Sequence, residues 1–196
     1  MDLLKIGKTD NIERDKFISR FFGIFNEDIA LIYFNSPYSK YINLGRPTIK
    51  KGNEKYTLDF TLQERNNNEI YICEMKCEIQ YQNYKRLELN NREQIKLHKK
   101  NAFKYFLDIA YNINEYKIET NKKIININGI ILIWGKITKD KEIINEIKNI
   151  YNIKDILSLE NMINIMLENN YQEYIDYINK KKEWVNTFIN NIGLKK

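Results

Sequence analysis

Three charged residues stand in the two most strand-like segments of the chain, between Tyr56 and Cys77. Asp59 lies in the first, YTLDFTLQ, and Glu74 and Lys76 lie in the second, EIYICEMKC. Two carboxylates held close together repel unless something positive lies between them. A hard divalent cation suits such a pair, and Mg²⁺ commonly uses one or two carboxylates with water and substrate phosphate. A lysine alongside stabilises developing negative charge or orients a water. These parts match metal-assisted phosphodiester hydrolysis. Asp59, Glu74 and Lys76 are therefore the candidate catalytic residues, and the two acids are candidate metal ligands.

Positioning them requires a hairpin. Side chains alternate faces along a strand, so Thr57, Asp59, Thr61 and Gln63 share one face of the first segment. Ile70, Ile72, Glu74 and Lys76 share a face of the second. Glu69–Cys77 is rich in the aromatic and β-branched residues that strands favour. Between the segments, Glu64–Asn68 carries three asparagines, which tolerate left-handed backbone and suit a turn. Pairing brings Asp59 near Glu74, with Lys76 about 7 Å further along the same face.

The hairpin resembles the core of the PD-(D/E)xK nuclease superfamily, with Asp59 as the first acid and Glu74-Met75-Lys76 as the ExK element. Leu58 stands where the nominal motif has proline. The resemblance covers roughly residues 10–134. It implies an α/β fold with a restriction-endonuclease-like αβββαβ core and mixed central sheet, dependence on Mg²⁺ with Mn²⁺ able to substitute, and cleavage of nucleic acid. The Met75 backbone carbonyl would add a metal ligand. Family members often contribute an acid from the first helix, which raises Glu13, a residue that equally well completes a helix cap with Asp10. Some relatives of the RecB type carry a glutamine on the helix after the ExK strand, followed by tyrosine four residues later. Here the pair is Gln94 and His98. Gln94 positions a water or phosphate on that reading, or is plain helix polarity. His98, the only histidine, suits a solvated helix face beside Lys99 and Lys100.

Other elements follow from periodicity. Asp10–Phe25 reads as a helix with an apolar stripe of Phe17, Ile18, Phe21 and Phe22. Ile29–Phe34 reads as a short strand. A helix is expected from about Asn90 to Ala110, and Ile124–Trp134 reads as a buried central strand. From Lys141 onward the pattern is helical, a C-terminal extension over about 140–196. With 196 residues, the whole chain makes one domain.

Basic groups gather around the hairpin. Arg92, Lys96, Lys99 and Lys100 form a stripe at helical spacing, and Lys50, Lys51 and Lys55 sit on a loop. Lys85 and Arg86 interleave with Tyr81 and Tyr84. Such groups bind phosphates and stack on bases. The net charge of +6, from 32 basic and 26 acidic residues, permits this. The two cysteines, Cys73 and Cys77, are expected as reduced thiols, their spacing being unsuited to zinc. No apolar run is long enough to span a bilayer, and Met1–Lys5 lacks an apolar leader, so a cytoplasmic protein without membrane contact is expected. The resulting expectation is a Mg²⁺-dependent endonuclease of restriction or defence type, acting on DNA as a homodimer. A non-catalytic nucleic-acid-binding module on the same fold is the alternative.

Overall fold

Helix α1 (Ile12–Asn35) opens the part of the chain that the computed structural model describes, residues 11–77 and 88–193. Asn11 caps it by accepting the Arg14 N–H at 2.9 Å, which satisfies one of the donors a helix start leaves unpaired. The helix does not stop near Phe25, and Ile29–Phe34 is not a strand. Ile29, Ala30 and Phe34 are buried along one helical stripe, and burial of that stripe outweighs the weak helix propensity of isoleucine. Asp10, the expected cap, lies outside the described residues.

Strands β1 (Tyr41–Gly45), β2 (Pro47–Lys51), β3 (Glu54–Thr57), β4 (Phe60–Glu64), β5 (Ile70–Lys76) and β6 (Glu88–Leu89) follow. Next come α2 (Glu93–Lys96), α3 (Asn101–Asn112) and a 3₁₀ turn at Ile113–Glu115, then β7 (Lys117–Thr120), β8 (Lys123–Ile124), β9 (Gly129–Trp134) and β10 (Lys136–Ile137). The chain continues through α4 (Lys141–Tyr151), β11 (Ile153–Ser158), α5 (Leu159–Glu168) and α6 (Gln172–Ile192). The protein is thus α/β with a mixed sheet and C-terminal helices. Among the described residues no helix is long and apolar enough to cross a membrane.

The main sheet has the order β1-β4-β5-β9-β11. β1, β4 and β5 are antiparallel neighbours, whereas β9 runs parallel to both β5 and β11. Every residue of β9 is buried, as a strand covered on both faces requires. One face packs Phe60, Tyr71, Cys73 and Met75 against α1 and α5 through Ile29, Phe34, Leu159 and Met162. The other packs Ile72, Leu132 and Trp134 against α3 and α4 through Phe103, Phe106 and Ile147.

A second sheet, β3-β2-β7-β8, lies over this latter face. The Thr61 and Thr120 hydroxyls join the two sheets at 2.7 Å. Between β1 and β4 the chain passes from one sheet to the other twice. At Gly45, φ is +118° and an added Cβ would meet the Asn121 side chain at 3.0 Å, so glycine turns β1 into β2 there. At Leu58–Asp59 the expected single strand is broken. Tyr56–Thr57 belong to β3 and Phe60–Glu64 to β4, because Leu58 buries between the sheets while its N–H donates to the Pro47 carbonyl at 3.0 Å.

Four further expectations change. The buried strand expected over Ile124–Trp134 is confined to Gly129–Trp134, and Ile124 instead ends β8 in the second sheet, exposed to solvent. Lys50, Lys51 and Lys55 lie on the β2–β3 hairpin, not on a loop. The helix expected over Asn90–Ala110 is two helices separated at Leu97–Lys100, so Arg92, Lys96, Lys99 and Lys100 do not form one stripe. Asn152, in left-handed backbone at φ 49°, ends α4 and starts β11, so the C-terminal third adds a strand to the sheet and is not wholly helical.

Candidate active site

The break at Leu58–Asp59 sets the site. Phe60 pairs with Cys73 and Thr61 with Ile72 across β4 and β5. Continuing that register by one residue puts Asp59 opposite Glu74. Because Asp59 has left the strand ladder, its carboxylate is free to bond to the neighbouring backbone. Its Oδ2 accepts the Met75 N–H at 2.7 Å, and its Oδ1 faces the Arg46 guanidinium at 3.4 Å.

Glu74 is 7% exposed. Its Oε1 is ion-paired with the Lys76 ammonium, and its Oε2 is buried without a hydrogen-bond partner. Burial, and secondly the charge of Asp59, push the Glu74 carboxyl up to about 7, against the pull of Lys76. Two carboxylates face each other here, an arrangement that calls for a proton or a cation between them. The Lys76 Nζ also donates to the Met75 carbonyl at 3.1 Å and lies 5.2 Å from the centre of the Phe103 ring. A positive charge is therefore already held between one oxygen of Glu74 and the carbonyl of Met75.

Two residues that pattern reading passes over complete this wall. Glu27, on α1, faces Arg46 at 3.5 Å. Its carboxyl is raised by burial and then by the charge of Asp59, with Arg46 opposing. Arg46 thus spans two acids, Glu27 and Asp59. Glu13, the first-helix acid expected from the resemblance, lies exposed in the first turn, about 21 Å from Glu27 at 1.5 Å per residue. Extending α1 through Ile29–Phe34 would have exposed Glu27 as the nearer candidate.

Beside Lys76 opens a pocket of about 350 Å³, lined by Asn26, Met75, Cys77, His98, Lys99 and Lys100 among others. His98 is not on a solvated face: its ring packs against Phe103 and Trp134 at 5.2 and 5.3 Å between centres. Lys99 and Lys100 reach the site because the helix breaks between α2 and α3. Cys73 and Cys77 are free thiols whose ionisation burial pushes well up.

Other predicted site residues lie elsewhere or do other work. Gln94 is buried and gives its amide to backbone, accepting the Asn90 and Asn91 N–H groups, both at 2.9 Å, and donating to the Glu88 carbonyl at 2.8 Å. Lys50 pairs with Glu119, and Lys51 with Asp108 and Glu115, on the second sheet. Lys55 is exposed on β3, and Lys96 pairs with Glu93. Lys85 and Arg86, with Tyr81 and Tyr84, lie outside the described residues.

Among the described residues no three His, Cys, Asp or Glu side chains cluster in a way that could hold a metal. The donor set that fits Mg²⁺ here is smaller and mixed: the Asp59 and Glu74 carboxylates and the Met75 carbonyl, all hard oxygens. The unpartnered Glu74 Oε2 and the ammonium already drawn to Glu74 and the Met75 carbonyl agree with that set. No protein-family model matches the sequence, and no curated protein or solved structure matches it either.

Proposed function

We propose that this chain is a divalent-metal-dependent nuclease that hydrolyses phosphodiester bonds of DNA. The observation that carries the reading is the buried Glu74 carboxylate, with one oxygen unpartnered, set opposite Asp59 and beside the Lys76 ammonium. The order of elements adds support. A helix, three antiparallel strands, a helix and a strand parallel to the third agree with the αβββαβ core implied by the PD-(D/E)xK resemblance, with β2 and β3 as an insertion and β11 as an added edge.

Asp59 and Glu74 would hold the metal with the Met75 carbonyl. Bound there, Mg²⁺ supplies Lewis-acid polarisation of a phosphoryl oxygen and a water of lowered pKa. The residues of the chain do the rest. The Met75 N–H and Arg46 fix the orientation of Asp59. Lys76, freed from Glu74, donates to the charge that grows on the phosphoryl oxygens as water attacks. Lys99 and Lys100, on the rim of the adjacent pocket, meet the phosphates that flank the scissile one. Arg46 neutralises the remaining acidic charge of Glu27 and Asp59, so that an anionic strand approaches without repulsion.

The test incubates the protein with plasmid, linear duplex, single-stranded DNA and RNA, each with Mg²⁺, with Mn²⁺ and with EDTA. DNA cleavage that requires the metal and is lost in Asp59→Ala and Glu74→Ala is expected. Cleavage that persists in EDTA or in both variants would sink the proposal. Metal and DNA binding without cleavage of any substrate would leave a binding module.

A further inference from the structure

The face of the molecule formed by the first half of α1 and the second half of α6 is not accounted for by the site. Among the described side chains, α1 buries Asn26, Ile29, Ala30 and Phe34, and α6 buries only Tyr174. The remainder of both helices runs on beside each other, tied by Tyr177 to Asp28 at 2.8 Å and by Phe25 against Tyr177 at 6.0 Å. Along α1, Phe17, Phe21 and Ile24 fall at i, i+4 and i+7; along α6, Trp184, Phe188 and Ile192 fall at i, i+4 and i+8. Such spacing lays each set on one helix face. A groove of about 390 Å³ runs between the helices, floored by Phe21, Phe22 and Phe25 with Ile178 and Val185.

These stripes are open to solvent. Phe17 is 57% exposed, Ile24 65%, Trp184 51%, Phe188 63% and Ile192 67%. Aromatic side chains carry about 150–250 Å² each, so the three rings alone leave roughly 350 Å² of apolar surface uncovered. At about 100 Å² for a side chain of its transfer energy, the two isoleucines, Ile24 and Ile192, add about 130 Å². A standard interface buries about 800 Å² per partner, of which roughly 500 Å² is apolar. The uncovered surface thus equals the apolar part of one partner's share.

We infer that this two-helix face is a self-association surface that binds a second copy of the chain. A two-fold axis sets the same patch against itself, and two such helix pairs packed together form a four-helix layer with no further element needed. Trp184 is held as an anchor, because the Lys180 and Lys181 ammonium groups lie over its ring at 4.9 and 4.8 Å. The lysines also rim the patch with charge, as interfaces of this kind are rimmed. The inference is independent of the nuclease reading and is tested without cleavage.

Sedimentation of the full chain from low to high micromolar concentration is the experiment, with tryptophan emission recorded alongside. Trp134 is fully buried, so a concentration-dependent blue shift reports Trp184. The wild type is expected to sediment as a dimer. Phe188→Asp and Phe17→Asp, each with wild-type circular dichroism, are expected to weaken association about tenfold or more, as loss of an aromatic anchor does. Should either aspartate variant fail to fold, Ile24→Lys at its exposed position carries the same expectation. A wild type that is monomeric throughout overturns the inference, including one that instead co-sediments with anionic lipid vesicles. A dimer that survives these substitutions unchanged overturns it too.

Discussion

The Asp59 carboxylate accepts the Met75 backbone N–H at 2.7 Å, one residue beyond Glu74, its partner in the continued register of β4 and β5. That bond ties the loop between the two sheets to the centre of the main sheet. It also aims both carboxylates into one space, where burial and mutual repulsion hold Glu74 partly protonated near neutrality.

Replacing Glu74 with glutamine removes a buried charge but keeps the shape. In the metal-free protein the change is expected to stabilise at alkaline pH, because one of two opposed carboxylates disappears. Metal binding and cleavage are expected to be lost together. Thermal unfolding in EDTA, calorimetric metal titration and a cleavage assay check the three parts. A Glu74→Gln protein that cuts like wild type removes Glu74 from the chemistry.

The pH dependence has a definite sign. Glu74 ordinarily titrates near 4.5 and here near 7, so between these values the folded chain holds a proton that the unfolded chain has released. Stability from the neutral carboxyl is complete below about 4.5 and is lost as pH rises through about 7. In EDTA, the melting temperature of the wild type should fall relative to Glu74→Gln between about pH 5 and pH 8, by several degrees, since each 1 kcal/mol moves it about 2–4 °C. Mg²⁺ at the alkaline end should close the gap. A difference between the two proteins that stays flat with pH would show that Glu74 does not titrate there.

Lys76→Met should separate binding from chemistry. The variant loses a positive charge beside the acid pair, so metal is held at least as tightly. Cleavage should fall about 10²–10³-fold, the usual loss when a group that stabilises transition-state charge is removed. Equal loss of metal affinity and rate would instead make Lys76 a folding or binding residue only.

Glu27 and Glu13 provide an internal comparison. Glu27→Gln alters the charge felt by Asp59 and Arg46 and is expected to change metal affinity and cleavage severalfold, whereas Glu13→Gln, exposed and about 21 Å along the helix, should leave both unchanged. Identical behaviour of the two variants in metal titration would exclude Glu27 from the site.

Gln94→Ala should act on stability before it acts on catalysis. The side chain satisfies two backbone N–H groups and one carbonyl, and an unpaired buried polar group costs about 1–3 kcal/mol. A lowered melting temperature with metal affinity retained is expected. Unchanged stability with lost cleavage would place Gln94 in the reaction instead.

Local pattern alone was enough for the pairing of β4 with β5, the shared face of Glu74 and Lys76, and the Gly129–Trp134 part of the buried strand expected over Ile124–Trp134. In each case a strand's two-residue period or an unbroken apolar run carries the information within a few residues. The same reading stopped short at Glu27, because isoleucine and phenylalanine in Ile29–Phe34 score as strand until burial against the sheet decides for helix. It missed β11 for the related reason that six residues after a left-handed Asn152 look like the helices around them. The position of Arg46 depends on the turn at Gly45, and that of Lys99 and Lys100 on the break between α2 and α3. What brought Glu27, Arg46, Asp59 and Glu74 together was the packing of α1 and of a second sheet against the first. Those contacts join residues dozens of positions apart, and their energy lies in burial and charge that no short window of sequence contains.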